Sequence, residues 1–241
     1  MKLSANKKYM QTEPTSEVIK NSKYYFYIAV AFVAILMISN TVAVKLIGLG
    51  SLVFTGAFLI FPISYIFGDI LTEVYGYKAT RKIIWAGFFT QILMVFCYWL
   101  VQVMPSASVW PNQGAYDSIL GMVPRIVIAS MIAYFCGEFA NSYVMSKMKI
   151  FTEGKHLWTR TIGSTVVGQL IDSVLFTVLA FAMTVPTNVL LIMVAVQYFG
   201  KILYEIILTP ITYYIVRKLK HAEGIDVYDR GISYNPFGLK E

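Results

Sequence analysis

Six apolar runs, each nearly long enough to cross a bilayer, constrain this chain more than any other feature of its sequence. A helix needs about 20 apolar residues to span the hydrocarbon core of a membrane. Only 14% of the 241 residues are charged, whereas soluble domains carry roughly 25%. The sequence therefore predicts an all-α, polytopic membrane protein with six transmembrane helices. The expected spans are residues 24–44, 52–67, 83–104, 126–145, 161–183 and 190–216.

Two of these runs have irregular features. The second run is short and continues into the polar segment 68–77, which predicts either a broken helix or an amphipathic extension. The sixth run is long and contains Pro210. Because proline removes a backbone hydrogen bond from a helix, we expect a kink or a tilt there.

The basic residues predict the orientation. Short cytoplasmic loops carry an excess of lysine and arginine. All 20 basic residues except Lys45, Arg125 and Lys201 fall in the terminal segments or in alternate loops. Segment 1–23 also lacks a cleavage site typical of a signal peptide. We therefore expect a cytoplasmic tail at 1–23, a six-helix domain at 24–216 and a cytoplasmic tail at 217–241.

Charged and amide side chains occur inside the apolar runs. A charge at the centre of a spanning helix costs about 2.5–3.5 kcal/mol, so such residues usually face a protein interior or a watery cavity. Helical spacing places several of them on shared faces, and we predict that they converge on one cavity. The candidate substrate-binding residues are Asn40, Asp69, Glu73, Glu138, Asn141, Gln169, Asp172, Lys201 and Glu205.

An alternative reading of each such residue is a buried ion pair that fixes helix packing, for example Lys201 with Glu205 or Asp172. The five acids of the set, however, outnumber the bases Lys45, Arg125 and Lys201. Surplus buried carboxylate suits a donor-rich ligand or a titratable proton step. Lys45 and Arg125 lie at the outer ends of spans, where we expect them to pair with acids or to guard the outer mouth.

Several classes of function are disfavoured. Cys97 and Cys136 lie within spans and form neither a disulfide framework nor a metal-ligand spacing. The sequence contains no phosphate-binding GxxxxGK[ST] loop, no nucleophile elbow and no HExxH. Its basic residues cluster at the ends of spans, which argues against a nucleic-acid partner. We expect no catalytic residues, no metal site and no cofactor.

Several motifs, in order along the chain, resemble the bacterial queuosine precursor transporter family, also called VUT. They are Ser39-Asn40 with Lys45, Gly68-Asp69 with Glu73 and Arg81, Arg125 with Gly137-Glu138 and Asn141-Ser142, Gly168-Gln169 with Asp172-Ser173, and Asp226-Val227-Tyr228-Asp229 with Asn235-Pro236-Phe237. The resemblance covers most of the chain. It implies a multi-pass protein of the bacterial inner membrane that imports 7-cyano-7-deazaguanine or 7-aminomethyl-7-deazaguanine for queuosine synthesis in transfer RNA.

Such a base could be recognised by the side chains already identified. One carboxylate, from Glu138 or Asp172, can accept hydrogen bonds from both N1–H and the exocyclic amine. Amides at Asn40, Asn141 or Gln169 can bind the O6 edge. Aromatic rings can stack on the flat base, and the candidates for that role are Tyr75, Phe176 and Tyr204.

Three functions remain open from the sequence. The first is a secondary carrier with a polar site near the middle of the membrane. The second is a substrate-binding membrane subunit of an ATP-driven vitamin importer, which would borrow separate ATPase chains. The third is a membrane scaffold without transport activity. The broad lipid-facing surface of a six-helix protein also suggests a homodimer.

Overall fold

The structure is a computed structural model that describes residues 22–42, 45–49, 52–121, 124–183 and 186–238. The predicted tail at 1–23 lies almost entirely outside the described residues. The elements are α1 (Tyr25–Val42), β1 (Leu46–Leu49), β2 (Leu52–Thr55), α2 (Ala57–Tyr75), α3 (Tyr77–Gln102), α4 (Gln113–Ile119), α5 (Pro124–Phe151), α6 (Leu157–Phe181) and α7 (Thr187–Glu223).

The helices confirm a polytopic membrane architecture. Five of the described helices, namely α1, α2, α3, α6 and α7, are long and apolar enough to cross a membrane. Helix α5 has 28 residues but carries charged residues along its length. Large hydrophobic side chains such as Phe89, Leu93 and Leu203 are exposed on the outside of the bundle, where lipid would cover them. The count of six spans and the orientation remain predictions.

The region around the second predicted span differs from the sequence-based expectation. Residues 52–55 pair with residues 46–49 as an antiparallel hairpin, in which Leu46 opposes Thr55. A short apolar run cannot be assigned to a strand or a helix by periodicity alone, which explains the difference. Helix α2 then runs without a break through the polar segment to Tyr75, and all of its residues from Gly68 onward are buried.

Glycine 76 forms the turn between α2 and α3. Its φ of 84° lies in the left-handed region, which glycine adopts without the steric cost of a Cβ. A Cβ at this position would also lie 2.8 Å from Asp229 Oδ1 and 2.8 Å from Val227 Cγ1. The turn is therefore packed directly against the segment that follows α7.

Helices α5 and α6 make the most extensive contact in the bundle. They approach closely at one glycine near the middle of each helix. A Cβ on Gly137 would lie 3.0 Å from the carbonyl oxygen of Gly168 and 2.9 Å from Asp172 Cβ, and a Cβ on Gly168 would lie 2.9 Å from Asn141 Cβ. Small residues at such a crossing let the two backbones meet, and this crossing brings the polar residues of both helices together.

The segment after α7 packs across one end of the bundle. We call this end the basic end, because Lys78, Lys82, Lys147 and Lys218 lie there. The carboxyl oxygen Asp229 Oδ2 accepts hydrogen bonds from the Tyr77 backbone N–H at 2.8 Å and the Ser146 hydroxyl at 2.5 Å. Burial raises the pKa of Asp229, while these hydrogen bonds oppose the rise.

Further contacts hold the same segment in place. The Arg81 guanidinium donates to the carbonyl oxygen of Asn235 at 2.5 Å. The indole N–H of Trp85 donates to the carbonyl oxygen of Pro236 at 2.8 Å. The segment is thus part of the folded bundle, and α7 itself extends to Glu223, beyond the predicted end of the sixth span at residue 216.

We expect Gly137→Ala to destabilise the bundle by about 1–3 kcal/mol, because the new methyl group would force α5 away from α6. Thermal unfolding of the purified protein in detergent would measure the change. Gly114→Ala provides the matched control, since a Cβ at Gly114 meets nothing within 4 Å. Equal unfolding temperatures for the two variants would contradict the close crossing.

Candidate functional site

A cluster of polar side chains lies in the middle of the bundle, contributed by α2, α5, α6 and α7. Glu138 stands at the centre of α5, and Gln169 and Asp172 stand at the centre of α6. Tyr65 of α2 is an electrostatic neighbour of Glu138 and Asp172 and lies beside Gln169. Lys201 of α7 forms an ion pair with Asp172. The sequence had left the partner of Lys201 open between Glu205 and Asp172.

The central cluster holds an unusual number of buried polar atoms without partners. Both carboxylate oxygens of Glu138, both amide atoms of Gln169, the Tyr65 hydroxyl and the Ser173 hydroxyl are buried and make no hydrogen bond with described atoms. Leaving a buried polar group unpaired costs about 1–3 kcal/mol. A bundle that retains several such groups at one place has the chemistry of a binding site for a polar ligand or water.

Close packing of α2 positions the Glu138 carboxylate. A Cβ at Gly68 would collide with Glu138 Oε1, so the Glu138 carboxylate lies directly against the backbone of α2 at this point. No ion pair of Glu138 is found within the described residues. Glu138 is therefore a buried carboxylate without a cation, whereas Asp172 already has one.

A second polar group lies one helical turn closer to the basic end. Asn141 Nδ2 donates to Asp69 Oδ1 at 2.7 Å, and Glu205 is the strongest charged neighbour of Asp69. The remaining oxygens Asp69 Oδ2, Asn141 Oδ1 and Glu205 Oε1 are buried and unpartnered among described atoms. This group joins α2, α5 and α7.

An ionic cluster surrounds Glu73 at the basic end. Arg160 donates to both Glu73 oxygens at 2.6 Å, in the bidentate geometry that suits guanidinium and carboxylate. Lys220 also pairs with Glu73, and Lys149 Nζ lies 3.6 Å from Glu73 Oε1. Asp226 pairs with Lys149 at 2.6 Å and with Lys220 at 2.8 Å. The cluster ties together α2, α5, α6, α7 and the segment after α7.

A cavity of 230 Å³ opens beside this cluster. Its lining includes Glu73, Arg160, Arg217, Lys220 and Asp226. The polar groups thus form a column in three layers, from the central cluster through the Asp69–Glu205 group to the ionic cluster. The cavity lies at the end of that column.

The predicted site residues divide among these layers. Glu138, Gln169, Asp172 and Lys201 lie together in the central cluster, whereas Asp69, Asn141 and Glu205 lie together one turn away. Glu73 lies in the ionic cluster and is held by cations. The half-buried Asn40 of α1 accepts a long hydrogen bond of 3.5 Å from the Ser130 hydroxyl.

The residues predicted to pair with acids or guard the outer mouth are less well defined. Lys45 follows α1, and its side chain is exposed. Arg125 lies near the start of α5, and its side chain lies outside the described part of the chain. The structure therefore provides no contact on which to judge either prediction.

The predicted stacking residues are dispersed. Tyr75 lies at the basic end, where its hydroxyl donates to Glu223 Oε1 at 2.9 Å. Tyr204 donates to the carbonyl oxygen of Leu59 at 3.3 Å. Phe176 is half-buried on α6, one turn beyond Asp172.

Sequence reasoning missed several residues of the column. Tyr65 and Tyr134 each lie four residues before a predicted acid, Asp69 and Glu138, on the same helical faces. That spacing could have identified them. The sequence indicates only an orientation role for three further cations, Arg160, Lys149 and Lys220. It does not show which loop cations contact a buried acid.

Among the described residues, no group of His, Cys, Asp and Glu side chains could hold a metal ion. The column contains carboxylate, amide, hydroxyl, ammonium and guanidinium groups. Such groups can bind a polar organic ligand or exchange protons.

Comparison with known proteins identifies relatives. The profile of a family described as "Putative vitamin uptake transporter" matches residues 55–215. A "Probable queuosine precursor transporter" of Bacillus subtilis (strain 168) is 31% identical over 186 residues, which covers 77% of this chain and 81% of the relative. A "Queuosine precursor transporter" of Escherichia coli (strain K12) is 27% identical over 126 residues, covering 52% and 54%. No solved structure matches the chain significantly.

We expect Glu73→Gln to destabilise the protein strongly, because Lys149 and Lys220 would keep Asp226 as their one described acidic partner and Arg160 would keep none. Breaking a buried ion pair by removing one partner costs about 3–5 kcal/mol. The measurement is thermal unfolding in detergent. Glu153→Gln, the same chemical change at an exposed position of the same end, should leave stability unaltered, and a comparable loss in both variants would contradict the role of the cluster.

Proposed function

Because this chain belongs to the vitamin uptake transporter family, we propose that it imports a 7-deazaguanine precursor of queuosine and binds the base in the central cluster. Its membership makes it a multi-pass bacterial membrane protein that transports a small molecule and is not an enzyme. The named relatives support a queuosine precursor as the substrate. One observation carries the binding site, namely the unpartnered buried atoms of Glu138 and Gln169.

In this proposal Glu138 is the carboxylate that recognises the base. Its two free oxygens can accept N1–H and the exocyclic amine of a 7-deazaguanine side by side. Gln169 then donates its amide N–H to O6. Asp172 is less suited to the same role because Lys201 already occupies it.

The aromatic side chains next to this cluster suit the flat ring of the base. Phe61 and Tyr65 pack edge to face with ring centroids 5.4 Å apart, and Phe61 lies 6.4 Å from the ring of Tyr134. Lys201 Nζ is 5.5 Å from the Phe61 centroid. We assign the stacking surface to Phe61, Tyr65 and Tyr134, in place of the three aromatics predicted from the sequence.

The layered column suggests how such a carrier opens its central site first to one side of the membrane and then to the other. The ionic cluster around Glu73 closes the basic end in this conformation, and the predicted orientation places that end in the cytoplasm. Release of a base to the cytoplasm then requires separation of Glu73 from Arg160 and Lys220. Rocking of one helix group against another around a central site is the usual form of alternating access.

The proposed form of transport is secondary, without an ATPase partner. One chain contributes both the proposed binding site, in the central cluster, and the ionic cluster that closes the basic end. A homodimer remains a prediction, since the exposed apolar face of α7, with Leu191, Val196 and Phe199, can be covered by lipid or by a second copy.

We expect Glu138→Gln to lower binding and uptake of the base by about 10- to 100-fold, because hydrogen bonds to a charged acceptor contribute about 1.5–3 kcal/mol. Uptake of labelled 7-cyano-7-deazaguanine into liposomes, together with binding in detergent, would measure the loss. Asp117→Asn is the matched control, since that carboxylate lies in α4, in the connection between α3 and α5, and accepts a hydrogen bond from Gln113. Unchanged binding in Glu138→Gln would contradict the assigned site.

A separate experiment tests the secondary carrier against the ATP-driven subunit. Purified chain reconstituted alone into liposomes should exchange internal unlabelled base for external labelled base, with no nucleotide present. A dependence of this exchange on added ATPase chains and ATP would instead establish the alternative. Absence of exchange together with absence of binding would favour the scaffold.

A further inference from the structure

We propose that the Asp69–Glu205 carboxyl pair, with Asn141, is a proton-binding site that couples uptake of the base to the inward movement of a proton. This inference rests on the proposed function and identifies a proton gradient as the energy source for uptake. The pair lies between the central cluster and the ionic cluster, so it is separate from the atoms assigned to base recognition.

The burial and the contacts of the pair are those of a proton site. Asp69 is 0% exposed and Glu205 is 2% exposed, and within the described residues neither has a cation within ion-pair distance. Two carboxylates that interact in a medium of low dielectric are unfavourable when both carry charge. Protonation of one of them removes the repulsion.

Asn141 provides an independent indication that something is bound there. Its Nδ2 donates to Asp69 Oδ1 at 2.7 Å, whereas its Oδ1 is fully buried and unpartnered among described atoms. A protonated carboxyl supplies the missing donor, because an O–H on Asp69 Oδ2 can be directed to Asn141 Oδ1. One added proton can thus provide a partner for one of these buried lone pairs and leave one neutral and one anionic carboxyl group.

None of the described cations around the Asp69–Glu205 pair forms an ion pair with it. The cations of the column are already engaged: Lys201 of α7 pairs with Asp172 of α6, and Lys149, Arg160 and Lys220 surround Glu73. Arg81 of α3 binds the segment after α7. The remaining acidic neighbours of Asp69 are Glu138 of α5 and Glu73 of α2. On α1, the described ionisable groups are the tyrosines Tyr25 and Tyr27, near its start.

Helix α2 provides the mechanical link between the proton and the base. Asp69 follows Gly68 directly, and the Glu138 carboxylate lies against the backbone of Gly68, where an added Cβ would meet Glu138 Oε1. When the pair loses its proton, the repelling carboxylates of α2 and α7 separate. That movement of α2 also changes the space around Glu138, so release of the proton and release of the base are coupled.

The test compares accumulation with exchange in liposomes that contain the purified full chain and are given labelled 7-cyano-7-deazaguanine. With acid outside and the membrane potential clamped, the wild type should accumulate the base roughly tenfold per unit of pH gradient if one proton accompanies each base. An internal pH-sensitive dye should report acidification on addition of the base.

Asp69→Asn and Glu205→Gln should lose gradient-driven accumulation and yet retain exchange of labelled for unlabelled base, since an amide mimics the permanently protonated form. Asp117→Asn, an amide substitution in α4, should behave as the wild type. Full accumulation in both column variants would overturn the proposal. Loss of exchange in variants that remain folded would also overturn it, because the pair would then belong to base binding.

The wild type alone distinguishes the remaining outcomes. Exchange without accumulation or acidification under a pH gradient, or accumulation driven only by a sodium gradient, overturns the proton site and leaves the carrier intact. Absence of any exchange refutes the proposed function itself. The dye measurement stays decisive if both amide variants fail to fold, because base-driven acidification needs no variant.

Discussion

A carboxylate inside a bilayer must find a cation, hydrogen-bond donors or a proton, and this requirement organises the whole bundle. Glu73 is satisfied by three cations, Asp172 by Lys201, and Asp69 in part by Asn141. Glu138 has none of these among the described residues. A charge left alone in hydrocarbon is costly, and these acids differ in how they are satisfied along one polar column. Glu73 is paired with cations, Asp69 is hydrogen-bonded to an amide, and Glu138 has no described cation.

Close backbone approach makes that column possible. The crossing at Gly137 and Gly168 lets α5 and α6 present Glu138, Asn141, Gln169 and Asp172 toward the same interior. Bulkier residues at the crossing would separate the helices and open the acids to lipid. In a membrane, where apolar side chains gain little by leaving lipid, packing of this kind and buried hydrogen bonds hold helices together.

Much of this arrangement could be predicted from the sequence, for physical reasons. Long apolar runs show where helices cross, and the i, i+3 and i, i+4 spacings show which polar residues share a face. Those two facts predict one polar face on α5 at Glu138 and one on α6 at Gln169 and Asp172, and the cost of charge in lipid predicts that both faces turn inward. The choice between Asp172 and Glu205 as the partner of Lys201 depends on how α6 and α7 are rotated against each other, which spacing within one helix does not determine.

Other features depend on long-range contacts that no local pattern contains. Glu73 has the spacing of a site residue, yet Arg160, 87 positions away, and Lys220, 147 positions away, hold it at the basic end. The hairpin at Leu46–Leu49 and Leu52–Thr55 could not be predicted, because a short apolar run is compatible with either a strand or a helix. Tyr65 and Tyr134 could have been found by extending the faces of Asp69 and Glu138 by one turn.

Helix α7 reaches all three layers, as α2 and α5 also do, since Lys201, Glu205 and Lys220 all lie on it. At 1.5 Å per residue, Lys201 and Lys220 are separated by roughly 28 Å along its axis. Pro210 sits near the midpoint and removes one backbone hydrogen bond from the helix. The two halves of α7 can therefore bend about Pro210 as a hinge. Lys220 can then separate from Glu73 while Lys201 remains paired with Asp172.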